Sequence, residues 1–157
     1  MDSTDAQLLN LLQEDCSRSL AELARRVGLS ISGVNDRLRR LRARGDIRAH
    51  VALINPRTAG YSISAFVRVI VEGPKSEGRF LKTVLAMPEI QACHHVSGEF
   101  PYLLKIWAHD LPHLHRLIED KIKTRPGVVR VQTSIVLASP KEQVTGLAVQ
   151  PSVARPG

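Results

Sequence analysis

Apolar positions recur along this chain first with the period of a helix and later with that of a strand. Leu8, Leu11 and Leu12 fall on one face of an opening helix, for which Thr4 with Gln7 three residues on supplies a capping box. Asp15-Cys16-Ser17-Arg18 is a polar break. Ser19 with Glu22 makes a second capping box, and Gly28 stands where a chain leaving that second helix needs a positive φ. Ser30 caps a third helix, in which Ile31, Val34, Leu38 and Leu41 share one face. Gly45 ends it, with Arg42 and Arg44 in the last turn, where cations oppose the helix dipole. Residues 47–54 are apolar and β-branched enough for a strand, which Asn55-Pro56 terminates. With one strand visible before Pro56, a hinge strand fits better than a wing.

From Tyr61 the period becomes two, with Ile63, Ala65, Val67, Val69 and Val71 on one face and Ser62, Ser64, Phe66, Arg68 and Ile70 on the other. Gly73-Pro74 breaks this long strand. Phe80, Leu81, Val84, Leu85 and Met87 then mark an amphipathic helix ending before Pro88. Strands follow at residues 90–96 and 102–108, then a helix capped by Asp110 and stopped by Pro126-Gly127, and a last strand at 128–137. The order βαββαβ describes a ferredoxin-like sandwich, with both helices on one face of a four-stranded antiparallel sheet. On the other face Phe66, Ile70, Leu103, Trp107 and Val136 leave apolar surface that a second copy would cover, so sheet-on-sheet dimerisation is expected. The fold class is therefore α+β: a three-helix, winged-type helix-turn-helix unit with its hinge strand at 1–55, the sandwich at 61–141, and a loose tail at 142–157.

The 157 residues carry a formal net charge of +7, which points to a polyanionic partner. The charge is concentrated: residues 30–48 hold six arginines against Asp36 and Asp46. On the third helix Ser32, Gly33, Asp36 and Arg40 point away from the apolar face, flanked by Arg37 and Arg39. Small residues at the start let the main chain approach a base edge in the major groove, and arginines reach guanine or phosphate. Arg39, Arg25 and the Ser30 end of the helix suit phosphates. Double-stranded DNA is the partner this pattern selects.

Other chemistry finds less support. There is no GxSxG, no phosphate-binding glycine loop and no paired-carboxylate site, so a non-enzyme is expected. Cys16 and Cys93 lie in different predicted domains and lack CxxC spacing, and no HExxH occurs. His109 and His113 are four apart, but Asp110 caps the helix between them, which places His109 outside it; no metal site is expected. The aromatic pattern with which an RNA-binding sheet of this topology stacks bases is missing. No run of about 20 apolar residues and no signal-like start is present, so no membrane partner and a cytosolic location are expected.

Ala24-Arg25-Arg26-Val27-Gly28-Leu29-Ser30, Arg37-Leu38-Arg39-Arg40-Leu41, Gly45-Asp46-Ile47, Leu53-Ile54-Asn55-Pro56, Cys93-His94-His95-Val96-Ser97-Gly98, Tyr102-Leu103-Leu104-Lys105 and Pro126-Gly127-Val128 occur in this order. In these stretches the chain resembles the Lrp/AsnC family of transcription regulators, over about residues 3 to 141. The resemblance implies a helix-turn-helix domain followed by the family's ligand-binding (RAM) domain. It implies a homodimer, assembled further into tetramers or octamers, that binds DNA cooperatively and answers to a small effector, usually an amino acid, with no other cofactor. The family's effector pocket lies between subunits, which implies roles for Val96, Gly98, Glu99, Pro101 and Tyr102 at the turn and for Thr133, Ser134 and Ile135 on the last strand. Many members read Gly-Asp-x-Asp at the turn, where this chain has Gly98-Glu99-Phe100-Pro101; Pro101 offers neither charge nor N–H, while Glu99 keeps one negative charge on a longer arm. The expected function is sequence-specific, effector-responsive regulation of amino-acid metabolism genes. The alternatives are an effector-independent, nucleoid-like DNA organiser and a metabolite-sensing module without DNA binding.

Overall fold

The computed structural model describes residues 1–142 and 147–151. The first helix, α1 (Ser3–Glu14), begins one residue before the expected cap: Asp2, not Thr4, accepts the Asp5 N–H, at 2.8 Å. A carboxylate there also sets a negative charge against the helix N-terminus, an advantage a threonine hydroxyl lacks. Next come α2 (Leu20–Val27) and α3 (Ile31–Ala43), each with its expected serine cap: Ser19 accepts from Glu22 and Ser30 from Gly33. Gly28 turns the chain between them at φ 69°. Leu8, Leu23, Ala24, Val34, Leu38 and Leu41 form the core, with Leu12, Val27 and Ile47 packed around it. Ile31, expected on the buried face, is 53% exposed. As the first helical residue it projects back toward the N-terminus, past the end of the core stripe.

The strand expected at 47–54 does not form. After α3 the Asp46 N–H returns to the Leu41 carbonyl at 2.9 Å, and residues 48–55 belong to no ladder. Val51, Leu53 and Ile54 are each about two-thirds exposed, at 64%, 66% and 66%. A strand exists only where a neighbour takes its N–H and C=O groups, and within one chain these residues find none.

The contacts divide the chain into two units, one containing Met1–Ala52 and the described residues from Lys141 on, the other Leu53–Pro140. The second unit runs β1 (Ile63–Val71), α4 (Pro74–Leu85), β2 (Ile90–His95), β3 (Tyr102–Ala108), α5 (Leu111–Arg116) and β4 (Val128–Ile135). Past Arg116 the last helix continues as a π-helical stretch, Leu117–Lys123. This winding keeps Leu117 and Ile122, five apart, both on the core. The sheet order is β2-β3-β1-β4, antiparallel throughout, which is the ferredoxin-like arrangement. Ala65, Val67 and Val69 interleave with Leu104 and Ile106 beneath Phe80, Val84, Leu114, Ile118 and Ile122. At roughly 1.5–3 kcal/mol for each large side chain taken out of water, this layer is the main stabiliser of the unit.

On the other face Phe66 lies opposite Lys105 and Ser134, and Ser64 opposite Trp107. No element of this unit covers Phe66, which is 37% exposed. Of the expected loose tail, residues 143–146 and 152–157 lie outside the described residues. Leu147 and Val149 hydrogen-bond to α1.

Candidate nucleic-acid interface and effector turn

The α3 surface follows from its packing. With Val34, Leu38 and Leu41 buried, the opposite side presents Ser32, Asp36, Arg39 and Arg40, all exposed, and Asn35, which the sequence reading left out, is exposed beside them. Gly33 is half-buried at the edge of this face, and a Cβ on it would stand 3.2 Å from the Ser30 hydroxyl oxygen. That hydroxyl accepts the Gly33 N–H at 3.1 Å and lies 3.1 Å from the Ser32 hydroxyl, so the start of α3 is compact and polar. Arg39 pairs with Asp36 at 3.0 Å with both side chains mostly in water, an arrangement easily exchanged for a phosphate or a base. Arg25 is exposed on α2.

Arg37 lies elsewhere. Its Nη1 donates to Asp5 at 2.8 Å and also to Asp2, and its side chain is only 24% exposed. Arg44 joins Asp5 at 3.3 Å and Asp46 at 2.8 Å. Asp5, the one buried charged side chain in the described core, therefore ties two arginines of the α3 region to α1. The hydrogen bond that Arg37 donates to Asp2, then that to Asp5, raises its pKa, and those that Arg44 donates to Asp46 and Asp5 raise its own. The Asp2 carboxyl is held below the usual carboxylate range by the Asp5 N–H first and Arg37 second.

The second candidate site is the turn between β2 and β3. The Val96 N–H donates to the Pro101 carbonyl at 2.8 Å, closing a loop whose Gly98 sits at φ 116°. Glu99 at its tip forms an ion pair with Arg130 at the start of β4. The Arg130 guanidinium lies 5.1 Å from the centre of the Phe100 ring. Phe100 and Arg130 are the residues here that sequence reasoning missed; the signal was a cation and an aromatic group beside the acid, but 31 positions separate Glu99 from Arg130. Tyr102 points into the helix-covered core, donating to Glu77 with Phe80 and His95 beside its ring. Burial first, and Glu77 second, pushes its phenol up to about 12.

The three β4 positions do not converge on the turn. Thr133 pairs with Val67 and Ile135 with Ala65, so both sit on the helix-facing side, whereas Ser134 pairs with Phe66 on the open side and accepts from Arg68 at 3.3 Å. At about 3.3 Å per residue they lie roughly 10 to 17 Å along the strand from Arg130. Within one chain the turn group is Val96, Gly98, Glu99, Phe100, Pro101 and Arg130.

The histidines correct one argument made from the sequence. His109 precedes α5, yet its ring stacks on His113 with centroids 4.9 Å apart and planes at 13°, because the extended Asp110 cap folds it back. Tyr61 stacks on its other side at 4.4 Å. The Nδ1 atoms are engaged, that of His109 with the Gly60 carbonyl at 2.8 Å and that of His113 with the His109 N–H at 3.2 Å. Among the described residues no group of three or more His, Cys, Asp or Glu side chains could hold a metal ion.

Comparison with known proteins identifies both domains. Residues 1–42 match the AsnC-type helix-turn-helix domain, and residues 64–145 the Lrp/AsnC ligand binding domain. The leucine-responsive regulatory proteins of Escherichia coli K12 and Klebsiella pneumoniae are each 36% identical over 144 residues, covering 90% of this chain and 88% of theirs. Among solved structures, a transcriptional regulator from Neisseria meningitidis in complex with L-Met aligns with a TM-score of 0.89 at 30% identity, over 94% of this chain and 96% of that one. The feast or famine regulatory protein of Mycobacterium tuberculosis complexed with L-methionine aligns at 0.84 and 32% identity, over 92% and 97%.

Proposed function

This chain belongs to the Lrp/AsnC family of transcription regulators, and from that premise we propose how its own residues divide the labour of reading DNA and sensing an effector. It is a DNA-binding, effector-responsive regulator that works as an oligomer, with an amino acid as the class of effector. Two copies of α3, presented by a symmetric pair of sheet units, enter successive major grooves about 34 Å apart or a multiple of that. Ser32, Asn35, Asp36, Arg39 and Arg40 face base edges, and Gly33 lets the helix start come close. Arg25 and the Ser30 end of α3 hold phosphates. Arg37 is the strut: the carboxylates of Asp2 and Asp5 direct it toward α1, so it fixes the angle of the helix that reads. The observation that carries this reading is the sorting of the α3 arginines, with Arg39 and Arg40 on the open face and Arg37 against α1.

At the turn, the exposed Glu99–Arg130 pair matches the two charges of an amino acid. The effector's ammonium would take Glu99 and its carboxylate Arg130, with Phe100 beneath and the β4 positions Thr133, Ser134 and Ile135 supplied by a neighbouring subunit. This gives the Gly98-Glu99-Phe100-Pro101 turn a complete charge set although Pro101 carries no acid. The genes controlled are those of amino-acid metabolism, the chain is not an enzyme, and its place is the cytoplasm, where its DNA is. No described helix is long and apolar enough to cross a membrane.

The test is a thermal-shift and calorimetric screen of the twenty amino acids on the purified protein, followed by Glu99→Gln and Arg130→Gln. The reading expects at least one amino acid to bind and each variant to weaken it about tenfold or more, equal to roughly 1.4 kcal/mol. A flat screen, with DNA binding intact, would leave the effector-independent organiser as the correct account.

A further inference from the structure

Residues 147–151 run beside α1, whose side chains hydrogen-bond to the main chain of Leu147 and Val149. Asn10 donates Nδ2–H to the Val149 carbonyl at 3.0 Å, and its Oδ1 accepts the Val149 N–H at 2.9 Å. Gln13, one turn on, repeats the exchange with Leu147: Nε2–H to the carbonyl at 2.8 Å, and the Leu147 N–H to Oε1 at 3.1 Å. Giving and taking both hydrogen bonds of one residue is how neighbouring strands recognise each other. The spacings agree as well. Alternate residues of an extended chain present their N–H and C=O to the same side about 6.6 Å apart. Side chains three apart on a helix stand roughly 5–6 Å apart. The Leu147 side chain is 84% exposed, so it is not what holds the segment.

We propose that the outer face of α1 is a docking site for an extended peptide, read through its backbone by Asn10 and Gln13, and that its occupant is the segment 147–151 of the same chain. The docked segment braces the last turn of α1. That helix holds Arg37 through Asp2 and Asp5, so the C-terminal segment becomes a working part of the DNA-reading unit. The site tolerates sequence change in its occupant but not the loss of a backbone N–H at alternate positions.

Hydrogen exchange on the full chain, read at the amides of residues 11–15, tests this by a proline scan. Leu147→Pro and Val149→Pro each delete an N–H that an amide oxygen accepts; Ala148→Pro deletes one that α1 does not use. The proposal expects exchange about tenfold faster for L147P, V149P and the pair N10A/Q13A, and little change for A148P or V149T. In a chain ending at Lys141 the same amides exchange fast, and a capped peptide of residues 147–151 added in trans slows them again. Equal effects of A148P and V149P, or unchanged exchange in the truncated chain, would overturn it.

Discussion

Replacing Asp5 by Ala removes the carboxylate on which two arginines of the α3 region converge. The side chain is 9% exposed, with Arg37 at 2.8 Å and Arg44 at 3.3 Å on its two oxygens. Leaving a fully buried charge without its partner costs about 3–5 kcal/mol, but neither arginine here is fully buried. Arg37 keeps Asp2, Arg44 keeps Asp46, and the two side chains are 24% and 49% exposed. A mostly exposed pair contributes roughly 0–1 kcal/mol and a charge-assisted hydrogen bond about 1.5–3, so the Arg37 contact dominates and the loss comes to about 2 kcal/mol. In a unit of this size that lowers the melting temperature by roughly 8–15 °C. Circular dichroism melts and urea titrations measure it directly. A double-mutant cycle with Arg37→Ala isolates the pair, for which about 1 kcal/mol or more of coupling is expected. Asp5→Ala melting within a degree or two of the parent, or a cycle that closes to zero, refutes the reasoning.

Gly127→Ala puts a Cβ 2.4 Å from that of Ser76 and 2.5 Å from the Glu72 carbonyl oxygen, at φ 82°, so a loss of about 2–4 kcal/mol is expected in urea unfolding, and one under about 1 contradicts the packing described. Tyr102 is held neutral by its surroundings, with its pKa raised from 10.0 to about 12. A group whose pKa rises on folding adds stability below its unfolded value, and the contribution fades as pH climbs from 10 to 12. It amounts to about 3 kcal/mol, so alkaline unfolding should be steeper in the parent than in Tyr102→Phe across that window.

The two ends of α2 and the start of α3 were legible because their signals are local, whereas the start of α1 was not, its cap being Asp2 rather than Thr4. Ser19, Ser30 and Gly28 each act within four residues, and each does in the structure what its spacing implies. Strand alternation was legible for the same reason: Ala65, Val67 and Val69 face inward as period two requires. What the sequence hid depends on partners distant along the chain. Residues 47–54 have the composition of a strand, but a ladder needs a neighbour. Arg37 looks like one more exposed arginine on a helical wheel until the carboxylates of Asp2 and Asp5, more than 30 positions away, are set beside it. Glu99, Phe100 and Arg130 meet only because β4 starts next to the β2–β3 turn. His109 joins His113 through the backbone angles of Asp110, which no side-chain period records.

The division of labour on α3 is tested most directly by Arg40→Ala beside Arg37→Ala, each titrated by fluorescence anisotropy against a selected genomic fragment and against random-sequence duplex, with the melting temperature recorded for both. The account predicts that Arg40→Ala loses about 1–3 kcal/mol on the selected fragment, little on random duplex and nothing in melting temperature. Arg37→Ala should melt lower while the folded protein keeps most of its preference for the selected fragment. An Arg40→Ala protein that discriminates between the two duplexes as well as the parent does would contradict the account.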